Sequence, residues 1–130
     1  MASLILISNA YSNCFEEAGF KLGLNPKLLY AVAKVESGIN PYVVNKNKDG
    51  SEDIGVMQIN SFWIKKLNLE RDFLFEPCIN VLIGGWILKN CIDKFGYSLK
   101  ALDCYNKGPT KAKNKSIYAE KILKELKRIQ

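Results

Sequence analysis

The chain has 130 residues, 48% hydrophobic and 25% charged, and its 19 basic and 13 acidic side chains give a net charge of +6. That length fits a single domain able to bury a substantial core without a structural metal. Histidine is absent, which removes Ser-His-Asp and Cys-His nucleophile systems and any His-ligated metal site.

Residues 1–13 hold a short apolar patch, Leu4 to Ile7, followed by Ser8-Asn9-Ala10 in the small-x-small form of a signal-peptidase site. The basic start and long apolar core of a complete signal peptide are missing. The segment reads as the tail of an export signal, with a flexible N-terminus or short strand as the alternative, ahead of a domain spanning 14–130. No run approaches the ~20 apolar residues that a membrane-spanning helix needs.

A short helix is predicted over Phe15 to Leu22, with Asn13 as its cap. Asn25-Pro26 starts the next helix, which runs to Ser37. Gly38 stops it and Asn40-Pro41 prevents its resumption. From Asn45 to Asp53 the residues have turn composition, predicting a loop or small hairpin. Helices follow over Ser61 to Lys66, Asn80 to Phe95, Leu99 to Tyr105 with Ser98 as N-cap, and Ile117 to Ile129. The last carries Ile122, Leu123, Leu126 and Ile129 on one side and lysines on the other. The expected fold is mainly helical (α+β), with one small β or loop flap.

Cys14, Cys78, Cys91 and Cys104 contain no CxxC pair, so two disulfides in an oxidising compartment explain them better than a zinc site. Four cysteines allow three pairings. Cys91 and Cys104 fall on successive predicted helices, which makes a bridge across that hairpin reasonable and leaves Cys14 to Cys78. The basic excess is concentrated from Lys107 to Arg128. No aromatic platform interleaves these lysines, so a solvated helix face, or attraction to an anionic polymer such as the cell wall, suits them better than nucleic acid.

Glu36 stands out chemically. Leu28, Leu29, Val32 and Val35 recur at helical intervals, and Glu36 sits four residues after Val32 on the same stripe. Burial disfavours the charged carboxylate and raises its pKa, as a general acid requires. The alternative is a glutamate that snorkels to solvent at a helix end. Farther on, Gln58 and Asn60 are amides set among Met57 and Ile59, able to donate and accept at sugar hydroxyls or to cap turns internally. Gly55 is expected to let the backbone approach a ligand, and Phe62 and Trp63 are expected in the core, with sugar-stacking faces as the alternative.

Glu36-Ser37, GVMQIN (Gly55 to Asn60), Asn80 with Gly84 and Gly85, CYNKG (Cys104 to Gly108) and Tyr118 occur in that order. With this series the chain resembles the lysozyme-like lytic transglycosylases of the soluble-lytic-transglycosylase family, and most of all the small specialised members that accompany secretion and conjugation machines. Cys104 departs from the family's small residue before Tyr105-Asn106.

The resemblance implies a periplasmic, cofactor-free and metal-free enzyme acting on peptidoglycan strands, exported by a signal largely absent from this sequence. It would cleave the MurNAc-β-1,4-GlcNAc bond with 1,6-anhydro ring formation, locally opening the wall for a secretion or conjugation apparatus. Glu36 would be the single acid and base, Ser37 would help orient it, Tyr105 would contact the Glu36 region, and Asn106 and Tyr118 would line the same cleft. Tyr118 on an apolar helix face could equally be core. Asp53 follows Glu36 at an interval similar to that of the second carboxylate in lysozymes with a β-flap. That keeps open a hydrolytic muramidase using Glu36 and Asp53, with Asp49 and Glu52 as neighbouring candidates. A cell-wall-binding assembly factor is the alternative outside enzymes.

Overall fold

The computed structural model describes residues 13–130. The signal-like reading of residues 1–12 therefore lies outside the described residues.

Helix α1 covers 13–22 and buries Cys14, Phe15 and Ala18. Helix α2, Pro26–Ser37, begins as its sequence dictates: the Asn25 side chain accepts from the Lys27 amide and Pro26 occupies the first turn. It ends where Gly38 turns left-handed, with φ 66°. Leu29, Ala31, Val32 and Ala33 are fully buried, so α2 threads the core and delivers Glu36 at its end.

The turn-rich stretch forms a hairpin, and a third strand joins it. Strands β1 (Val44–Lys46), β2 (Glu52–Ile54) and β3 (Ile59–Asn60) make an antiparallel sheet in the order β1-β2-β3. Asn45 faces Asp53, and Asp53 faces Asn60. Such short strands are not stable alone. Ser37 Oγ of α2 donates to Val56 O at 2.7 Å. From helix α4 (Pro77–Phe95), wholly buried Asn80 accepts from Met57 N at 2.8 Å and donates to Ile54 O and Leu74 O at 2.9 and 2.7 Å. Gly55, with φ 80°, lies against this amide: a Cβ there would come within 2.3 Å of Asn80 Nδ2. Its need for glycine is thus internal packing rather than approach to a ligand.

Helix α3 (Phe62–Lys66) and a 3₁₀ turn (Arg71–Phe75) lead to α4, Pro77–Phe95. α4 starts three residues earlier than the sequence suggests, because Glu76 caps it and Pro77 fills its first position. Cys78 consequently sits in the first turn of α4, not in the loop before it. The bridges join Cys14 to Cys78, tying α1 to α4, and Cys91 to Cys104, tying α4 to α5 (Leu99–Lys107). Helix α6, Ile117–Ile129, packs on α2 and α5. Ile122 is its buried anchor, and Leu123 turns outward with 38% exposure. Among the described residues no helix is long and apolar enough to cross a membrane.

Candidate active site

A cleft of about 770 Å³ lies between the flap and the α4–α5 side of the molecule. Glu36 reaches it from the end of α2, Asp53 and Asn60 from the sheet, and Tyr105 and Asn106 from α5. The size suits an extended polar ligand bound in an open groove.

Glu36 is half-buried, and desolvation lifts its carboxyl from an ordinary 4.5 to about 7. The Tyr118 hydroxyl, 2.5 Å from Oε2, pulls the other way by hydrogen bonding to the carboxylate, while the negative charge of Asp53 raises the pKa further. Tyr118 comes from the first turn of α6, so a residue expected either in the cleft or in the core is the direct partner of the acid. Its phenol is pushed well above the ordinary value by burial first and then by the charge of Glu36. Tyr105 is raised likewise, by burial and then by Glu36 and Asp53. Its hydroxyl donates to Met57 O at 2.6 Å, joining α5 to the flap turn. Two neutral phenols thus flank a carboxyl that changes protonation near neutral pH.

Asp53 faces the same cleft with its orientation fixed. Asn60 Nδ2 donates to Oδ1 at 2.9 Å and Asn47 Nδ2 to Oδ2 at 3.2 Å. Asn60 also donates to Ser51 Oγ at 3.1 Å and accepts from Phe62 N at 3.0 Å. The Gln58 amide gives both its protons to Val43 O and Gly55 O, each at 3.0 Å, and accepts from Asn45 at 2.8 Å. Both amides, read from sequence as able either to bind saccharide or to cap turns internally, build the flap while lining the cleft, and Asn60 also holds Asp53. Ser37 binds Val56 O and accepts from Asn40 N, and makes no hydrogen bond to Glu36. Asn106 is exposed in the cleft, and its amide has no hydrogen-bond partner among the described residues.

Several contributors escape sequence reasoning. Asn90 and Lys94 bring polar groups to the cleft from α4, and their spacing of four on one helical face was the available signal. Phe62 and Trp63, expected in the core with sugar-stacking faces as the alternative, line the cleft. Phe62 is 59% exposed and packs edge-on against Trp63 with centroids 5.3 Å apart. Their helix α3 has no buried residue because it is a single short turn on the flap's edge. Among the described residues no group of three His, Cys, Asp or Glu is placed to hold a metal ion.

Residues 13–127 match the Transglycosylase SLT domain family. The chain belongs to that family. Invasion protein IagB of Salmonella typhimurium is 36% identical over 98% of this chain and 83% of its own. Protein IpgF of Shigella sonnei is 36% identical over 91% of this chain and 82% of its own. Among solved structures, an inactive mutant of lytic transglycosylase Slt from Pseudomonas aeruginosa superposes with a TM-score of 0.63 at 17% identity. The match covers 88% of this chain and 20% of that one. That likeness carries the fold: a mainly helical transglycosylase domain with a small sheet.

Proposed function

We propose that this SLT-family protein is a periplasmic lytic transglycosylase that cleaves MurNAc-β-1,4-GlcNAc bonds in peptidoglycan. The observation that carries this reading is the Glu36 carboxyl, raised to about 7 in the cleft and hydrogen-bonded by Tyr118. A single group with that pKa can be acid and then base at neutral pH. Glu36 gives its proton to the glycosidic oxygen as the C1–O bond breaks, releasing a free 4-hydroxyl on GlcNAc. The resulting carboxylate takes the proton of the muramic C6 hydroxyl while that oxygen attacks C1 and closes the 1,6-anhydro ring. No water is consumed. The exposed Asn106 amide suits a sugar hydroxyl or acetamido group, and the Phe62 and Trp63 faces suit a sugar ring. Similarity to a protein named for invasion supports a role in opening the wall locally for a secretion apparatus.

Asp53 supports a second reading. It shares the cleft with Glu36, acts on it electrostatically, and is held at both oxygens by amides. A carboxylate so fixed can stabilise positive charge at C1 long enough for water to complete a hydrolysis. Mass spectrometry of sacculi digested by the wild type, Glu36→Gln and Asp53→Asn tests both. Anhydro-muropeptide ends are expected; reducing ends alone would establish the muramidase, and unchanged turnover in Glu36→Gln would refute either.

A further inference from the structure

Asp103 is a wholly buried acid that the chemistry above does not use. It is 0% exposed, on α5 between Leu102 and Cys104, and is not part of the cleft wall. Its Oδ2 accepts from the Lys113 backbone amide at 2.7 Å. Oδ1 faces Lys107 Nζ at 3.2 Å without the alignment of a hydrogen bond. Burial pushes the carboxyl up, but the Lys113 amide, the Ser116 side chain and the Lys107 ammonium outweigh it and hold it below the ordinary 3.8. The Lys107 side chain is 37% exposed, so solvent screens its attraction while Asp103 still bears the cost of burial, and the pair is a poor source of net stability.

What the partners share is position. Lys107 closes α5, Lys113 lies midway along the connection over 108–116, and Ser116 caps α6. Two residues past that cap, Tyr118 donates to Glu36. The connection, GPTKAKNKS, has no regular secondary structure beyond a turn. α5 itself is anchored to α4 by the Cys91–Cys104 bridge, immediately beside Asp103. The charge of Asp103 also contributes to keeping the Tyr118 phenol protonated, hence a donor.

We propose that Asp103 is a positioning residue for the catalytic acid: it clamps the 108–116 connection onto α5 and so sets the first turn of α6 where Tyr118 meets Glu36. This rests on Glu36 being the acid of the proposed reaction. Three titratable groups bear on Glu36, namely Tyr118 of α6, Tyr105 of α5 and Asp53 of β2. Tyr118 is reached through the 108–116 connection that Asp103 holds, whereas Tyr105, on α5 with Asp103, is fixed separately by its hydrogen bond to Met57 O.

The test is a double-mutant cycle read by the ¹³C NMR titration of the Glu36 carboxyl. Tyr118→Phe removes a hydrogen bond to the ionised form and should raise the Glu36 pKa. In an Asp103→Ala background the same change should move it less than half as far, since Tyr118 no longer holds its place. Asp103→Asn, which keeps an oxygen for the Lys113 amide, should restore the full shift. Equal shifts with and without Asp103, or an asparagine variant as uncoupled as alanine, would overturn the proposal. If Asp103→Ala does not fold, two glycines inserted between Asn114 and Lys115 leave the carboxylate in place but slacken its hold on α6. They should weaken the coupling in the same way, and undiminished coupling would again overturn it. The enzymatic reading fails separately: turnover retained by Glu36→Gln would remove Glu36 as the acid without altering the cycle.

Discussion

Replacing Glu36 by glutamine should make the protein more stable while it abolishes turnover. Burial moves this carboxyl from 4.5 unfolded to about 7 folded. Between those two pH values the folded chain retains a proton that the unfolded chain has released, so stability falls as pH rises through the window. Below the lower value both states are protonated and the effect vanishes. Above about 7 the loss is complete and amounts to about 3 kcal/mol, at 1.36 kcal/mol per pH unit. Glutamine has the same shape, accepts the same Tyr118 hydrogen bond and does not titrate. Urea unfolding of both proteins, disulfides intact, at a series of pH values from 4 to 8.5 should show curves that coincide in acid. In alkali the variant should gain up to ~3 kcal/mol at unchanged m-value. Peptidoglycan turnover should fall by ~10²–10⁴-fold through loss of general acid catalysis alone. A stability difference that is flat with pH would refute the claim that burial holds Glu36 protonated, whatever the activity does.

Asp53→Asn removes the negative charge that raises Glu36, so the alkaline limb of the pH–rate profile should move to lower pH. A limb that stays in place would show that the two carboxylates are uncoupled. Asn80→Ala orphans the Met57 amide and the Ile54 and Leu74 carbonyls, and at ~1–3 kcal/mol for each buried unsatisfied group it should cost at least ~3 kcal/mol in urea unfolding. The Cys14–Cys78 bridge closes a separation of 64 residues and Cys91–Cys104 one of 13. Serine pairs at these positions should therefore lose about 4 and about 3 kcal/mol respectively, and the reverse order would show that chain entropy does not govern them.

The helices were legible wherever their ends carry local chemistry. Asn25-Pro26, Gly38 and Ser98 act within a few residues of themselves, and α2, α5 and α6 lie close to where the sequence puts them. The start of α4 was missed because its signals, Glu76 and Pro77, precede the apolar stretch that draws the eye. Strand β3 was missed because the chain from Gly55 to Gln58 takes its shape from Asn80, more than twenty residues away. Glu36 could be found from helical periodicity alone, but its partnership with Tyr118 spans 82 positions and periodicity is silent about it. Asp103 gave no signal at all: an aspartate on a helix is usually solvated, and only the folded path of the 108–116 connection buries it.

The geometry between Glu36 and Asp53 is set by a small patch of backbone. Ser37 of α2 binds Val56 O, Asn80 of α4 binds Ile54 O and Met57 N, and Tyr105 of α5 binds Met57 O. Three helices therefore converge on residues 54–57, the turn between the strand that carries Asp53 and the strand that carries Asn60. Each of the three also contributes to the cleft: α2 supplies Glu36, α4 supplies Asn90 and Lys94, and α5 supplies Tyr105 and Asn106. The ties that compensate for a sheet too small to be stable alone are thus the ties that fix the acid relative to the flap. Polar residues can fill these positions because their donors are paired with backbone carbonyls of this turn and, for Asn80, also with Leu74 O, and an apolar substitute would leave those groups buried without partners. Gly84 completes the arrangement, since a Cβ there would come within 2.6 Å of Met57 Sδ and push the turn off α4. Flap stability and the placement of Glu36 against the flap are in this way one set of interactions, and a substitution at Asn80 or Gly84 should disturb both together.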